Sequence, residues 1–167
     1  MTTDGVKMKI GFTIPGTPQG KGRPRFDGRG AFVRVHTSGD DIKREKEIRR
    51  IAREVIAGTH EYEGYLPTVL PVRVTIEATF EVTPSWTKKR KDEALQGVYH
   101  VTKPDADNIA KSVLDGLLAG PKSKRDPDPK PWLIVDDTQV AELLVRKRYG
   151  SPARTEVVVE TIGAGLL

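Results

Sequence analysis

Two stretches of the chain hold residues whose types and spacing can do chemistry. The first runs Lys103-Pro-Asp105-Ala-Asp107-Asn108-Ile-Ala-Lys111-Ser-Val-Leu-Asp115, and the second is the pair Asp136-Asp137 after Trp132-Leu-Ile-Val. If either member of the pair meets Asp105 and Asp107, three or four hard oxygen donors converge. Mg²⁺ prefers such donors in near-octahedral geometry and keeps waters and substrate phosphates in its remaining positions. Two such ions about 4 Å apart stabilise the attacking and leaving oxygens of a phosphodiester displacement. Lys111, one helical turn after Asp107, can neutralise transition-state charge or help to position water.

Each part also has a plainer reading. An Asp-x-Asp at a helix start can cap it or favour the positive end of its dipole. Asp136-Asp137 can be a turn. Lys111 can be a solvated lysine paired with Asp107, and Asp115 can do no more than pair with Lys111. The combination, together with a basic loop elsewhere, favours the catalytic reading.

That loop is Thr17-Pro-Gln-Gly-Lys21-Gly-Arg23-Pro-Arg25. Its cations alternate on a backbone kept extended by Pro and Gly, which suits DNA binding by Lys21, Arg23 and Arg25 to successive phosphates. A nucleotide-binding loop is rejected. Gly16-x-x-x-Gly20-Lys21 is one residue short, and Gly22 stands where a Ser or Thr would bind Mg²⁺. His36, His60 and His100 show no metal-ligand spacing. The chain has no cysteine, hence no disulfide and no thiolate ligand or nucleophile. Trp86 and Trp132 read as core or loop anchors.

These residues need elements to position them. Met8, Ile10, Phe12 and Ile14 alternate with polar positions, predicting a strand, and 15–29 reads as a loop. A short second strand is expected within 31–36. Asp40 or Asp41 is expected to cap a helix with inner positions Ile48, Ile51, Ala52, Val55 and Ile56, ended by Gly58. Its outer face would carry Lys43, Arg44, Lys46, Arg49, Arg50 and Arg53. Val72, Val74, Ile76, Ala78 and Phe80 predict another strand, 86–96 a charged helix, and 105–119 a helix stopped by Gly120 and Pro121. In that last helix Asp107, Lys111 and Asp115 form a row beside the core-facing Ile109, Val113 and Leu117. The stretch 121–131 reads as a surface loop. Strands at 140–149 and 155–162, joined by Gly-Ser-Pro, predict a terminal hairpin. The fold class expected is α+β: a single domain over 1–167, core about 8–162, with helices packed on a mostly antiparallel mixed sheet.

The 167 residues carry 28 Lys/Arg and 23 Asp/Glu, a net charge of +5. Residues 1–60 hold 13 basic against 7 acidic, a net of +6 that leaves −1 for the rest. A basic N-terminal third suits a polyanionic partner, although charge alone fits a merely soluble basic protein equally well. No run of about eighteen apolar residues appears, so no membrane-spanning helix is expected. Nor does the N-terminus read as a secretion signal, so a cytoplasmic location is the expectation. A sugar-transfer enzyme can also use Asp-x-Asp with Mg²⁺, but these strand patterns leave little room for its nucleotide-binding domain.

The pattern Lys-Pro-Asp105-x-Asp107-Asn108-x-x-Lys111-x-x-x-Asp115-x-Leu, with Asp136-Asp137-x-Gln139-Val140 after it, resembles the signature of the RusA family of Holliday junction endonucleases. Lys21-x-Arg23-Pro24-Arg25 is similar to the N-terminal pattern of the family's phage and prophage members. The resemblance spans roughly 8–162. It implies a homodimer that binds a four-way DNA junction and nicks two opposing strands, using Mg²⁺ or Mn²⁺ and leaving 5′-phosphates, in DNA recombination and repair. By motif matching the metal-binding aspartates fall on Asp105, Asp107 and Asp137, with Asp136 adjacent and able to contribute, and the active-site lysine on Lys111. No nucleotide cofactor and no membrane are implied. Extra residues near 84–100 and the longer loop 121–131 depart from the shortest members and leave sequence preference open. A flap or branched-DNA nuclease, or a DNA-binding module that has lost catalysis, are the alternatives.

Overall fold

The structure, a computed structural model, describes residues 8–22, 25–27, 34–59, 66–118 and 132–163, with backbone pairing only for 25–27 and 34–36. Strand β1 (Lys9–Pro15) alternates exposed and buried positions without a break, burying Ile10, Phe12 and Ile14. Strand β2 (Arg25–Asp27) pairs antiparallel with β3 (Arg34–His36). The loop expected over 15–29 therefore contains a strand, too short to announce itself by periodicity. Helix α1 spans Gly39–Ala57, β4 Val72–Phe80, α2 Lys88–Leu95 and α3 Ala106–Leu117; β5 (Val140–Tyr149) and β6 (Arg154–Thr161) close the order. The loop 121–131 and the stop signals Gly120 and Pro121 lie outside the described residues.

The main sheet has the order β1-β6-β4-β5, with β4 and β5 parallel and both other pairings antiparallel. This is the expected α+β fold with a mixed sheet. The terminal hairpin is not formed, however. β5 and β6 do run antiparallel, but β4 lies between them and pairs with both. Their short connection crosses the end of β4, where the Gly150 amide donates to the Phe80 carbonyl at 2.9 Å. Burial explains the order: β4 buries Val72, Val74, Ile76, Ala78, Thr79 and Phe80 and belongs in the middle. β5 carries Glu142, Arg146, Lys147 and Arg148 and suits an edge, where charge discourages further pairing.

Helices α1 and α3 pack against each other and help to build one core with the sheet. Gly116 makes the helix crossing possible: a Cβ there would stand 2.5 Å from Ile48 Cγ2. Each fully buried Ile or Val, such as Ile48, Ile76 and Val159, contributes roughly 1.5–3 kcal/mol. Two details of α1 differ from expectation. Its cap is Ser38, whose hydroxyl accepts from the Asp41 amide at 3.1 Å, so Asp40 and Asp41 lie in the first turn. Arg49 is not on the outer face but buried, donating to the carbonyls of Asp115 and Leu118 at 3.2 Å each. These carbonyls end α3 and need donors, which a hydrophobicity pattern cannot foresee.

Candidate metal-dependent nuclease site

Asp105 occupies the N-cap position of α3 with extended backbone, yet its side chain makes no cap hydrogen bond. The capping role that the sequence left open for it is unfilled, and its exposed carboxylate is available to a ligand. Asp107 lies in the first turn and Lys111 one turn on, both exposed. Asp115, the third of the row, is half-buried and pairs with Lys21 rather than Lys111. Ile109, Val113 and Leu117 are buried as expected, so the row borders the core.

The second acidic pair follows a buried segment. Leu133 and Ile134 are fully buried, and the chain then emerges to expose Val135, Asp136 and Asp137. Gln139 fixes this turn. Its side-chain oxygen accepts from the amides of Val135 (2.7 Å) and Asp136 (3.0 Å), and its nitrogen donates to the carbonyls of Thr68 (2.9 Å) and Leu70 (3.2 Å). Asp136 caps the 3-10 turn Asp137–Gln139, accepting from the Thr138 amide at 2.9 Å. Hydrogen bonds from the Thr138 side chain and backbone hold its carboxyl below the usual range. Asp136 is thus committed in part to local structure.

The four carboxylates do not assemble into one set. Among the described residues, no group of three or more His, Cys, Asp or Glu side chains gathers closely enough to hold a metal ion. Asp105 and Asp107 share one helix end, Asp136 and Asp137 share one turn, and the convergence expected between the two is not formed within the chain. The donor chemistry, all oxygen, nonetheless suits a hard cation.

A cleft of about 940 Å³ opens at the start of α3, lined by Gln19, Gly20, Asp41, Lys103, Asp105 and Asn108 among others. One wall is the basic loop. Gly20 comes so close to α3 that a Cβ would meet Pro104 and Asn108 side-chain carbons at 2.9 Å. The Lys21 amide donates to the Asn108 carbonyl at 2.9 Å and the Gly22 amide to Asp41 Oδ1 at 3.0 Å. Lys21 itself turns inward, its ammonium 3.0 Å from Glu45 and bonded also to Asp115. Arg23 lies outside the described residues, and Arg25 opens β2. Sequence reasoning missed Glu45, Arg49 and Gln139 as organisers of this region, and only the last carried a signal, through the second motif block.

A family model described as endodeoxyribonuclease RusA matches residues 15–160. The chain belongs to the RusA family. Its members are nucleases that act on branched DNA and are generally dependent on divalent metal. The chain is also similar to a protein of Bacillus subtilis (strain 168) titled uncharacterized protein YqaN, 29% identical over 156 residues that cover 93% of this chain and 98% of that one. Among the described residues no helix is long and apolar enough to cross a membrane.

Proposed function

We propose that this RusA-family chain is a structure-selective endodeoxyribonuclease that resolves four-way junctions in recombination and repair, acting in the cytoplasm as a homodimer with Mg²⁺, or Mn²⁺ in its place. The observation that carries the reading is the first turn of α3. There, Asp105 keeps a carboxylate its own helix does not use, beside exposed Asp107 and Lys111 and at the edge of the cleft of about 940 Å³. Asp105, Asp107 and Asp137 would hold the cation, with Asp136 contributing its second oxygen. When bound, the ion supplies Lewis-acid activation of a water and of the scissile phosphate. Lys111 offsets charge on the phosphoryl oxygens, and Arg23 and Arg25 take phosphates of the bound arms.

A junction must be cut at two related phosphates, which favours a two-fold dimer. Among the described residues of one chain no three acids gather, and the third ligand would arrive by closure of the 132–139 turn or from a second copy. Mixing Asp105→Asn and Asp137→Asn chains separates these routes, since only a shared site gives partial recovery of cutting.

The test of the function is cleavage of labelled four-way junction, flap and linear duplex, with and without Mg²⁺. Paired, symmetric nicks on the junction that require the metal are expected. Preferential cutting of the flap moves the reading to a branched-DNA nuclease, and equal cutting of linear duplex overturns structure selectivity.

A further inference from the structure

We infer that Lys21 is a positioning residue rather than a phosphate ligand: clamped between Glu45 of α1 and Asp115 of α3, it locks residues 18–22 as the cleft wall against the first turn of α3. The inference rests on the nuclease reading of that cleft and assigns a role within it.

The contacts are specific. The Lys21 side chain is 21% exposed and its partners Glu45 and Asp115 are 13% and 25% exposed, so the ion pairs sit at the margin of the core. Two backbone bonds flank them, Lys21 to the Asn108 carbonyl and Gly22 to Asp41. The loop is therefore tied to α1 at Asp41 and Glu45 and to α3 at Asn108 and Asp115. Gly20, at the closest approach, is where the loop touches the turn that presents Asp105 and Asp107. Burial works against the ammonium, but the two carboxylates outweigh it and raise its pKa above the ordinary lysine value, so the clamp stays charged at neutral pH. A phosphate contact would require Lys21 to abandon two carboxylates, and their negative charge would repel the incoming phosphate. A loop displaced by an ångström would shift the substrate strand relative to the aspartates, which is enough to cost orders of magnitude in rate.

The experiment compares wild type, Lys21→Met, Lys21→Arg and Asp115→Asn on the four-way junction. With Mg²⁺, Lys21→Met should lower the single-turnover rate about tenfold or more. Without Mg²⁺, its junction affinity should stay within about twofold and the slope of log affinity against log salt should not change. Lys21→Arg, whose planar fork can span two carboxylates, should restore most of the rate. Amide exchange at residues 21 and 22 should accelerate in Lys21→Met and not in Lys21→Arg. A salt slope reduced by about one would show a phosphate contact and overturn the clamp. So would an unchanged rate, or unchanged exchange in Lys21→Met. Should Lys21→Met fail to fold, Asp115→Asn carries the same expectations. A wild type that cuts no branched DNA removes the nuclease reading, and exchange alone then decides whether the clamp exists.

Discussion

At the scale of single residues, side chains of one type divide between ligand chemistry and local structure according to what their neighbours already satisfy. Asp105 and Asp136 both sit at N-cap positions, yet only Asp136 uses its carboxylate as a cap. Asp105 correspondingly keeps its carboxylate out of the helix's own hydrogen bonding. His100 gives a separate prediction. Its ring stacks on Phe80 at 3.8 Å, beside Tyr149, and burial followed by the charge of Lys147 lowers its pKa below the ordinary 6.5. The folded state then binds fewer protons than the unfolded chain, so the stability involved is complete above about pH 6.5 and is lost as pH falls through the folded pKa. Thermal unfolding followed from pH 7 to 5 should show a falling Tm that His100→Phe flattens. A Tm of the wild type that is flat across that window contradicts it.

Among the elements, the crossing of α1 and α3 is what sets the site. Gly116→Ala drives a methyl into Ile48 and should destabilise the fold by about 1–3 kcal/mol, measured by urea unfolding. Arg49→Met keeps length but strips the donors from the Asp115 and Leu118 carbonyls, and should cost about 1–3 kcal/mol. The sequence made much of this level legible. Period-two alternation marked β1 and β4, and helical spacing marked α1 and α3. Other features were hidden because they depend on pairs remote in the chain. An alternating strand, a turn and a second alternating strand look the same whether the strands pair directly or flank β4. Likewise, nothing local in Arg49 or Lys21 distinguishes a solvated cation from one that serves carbonyls or carboxylates of α3.

Taken as a whole, the molecule presents two unlike faces. The sheet face away from the helices is a lattice of matched charges: Arg73 bridges Glu142 and Glu160, Arg146 meets Glu77 at 2.8 Å, and Arg154 meets Glu156 at 3.1 Å. Such exposed pairs contribute little stability, about 0–1 kcal/mol each, but among the described residues of this face they leave little free charge for a polyanion. On the helix side, a groove along α1 is lined by Lys46 and Arg53 together with Arg50, which is paired to Glu47 and Glu54. Joint Lys46→Ala and Arg53→Ala substitution should therefore weaken junction binding and lower the salt slope by up to about 2, while Arg146→Gln leaves the slope unchanged. Equal effects from the two surfaces would contradict this orientation. The central claim, that acidic side chains from two distant stretches serve one metal-dependent cleavage, is tested most directly by Asp107→Asn assayed for binding and cutting of the same four-way junction in Mg²⁺. Binding should be retained and cutting abolished; a variant that still cuts at a rate near wild type would exclude Asp107 from the metal site.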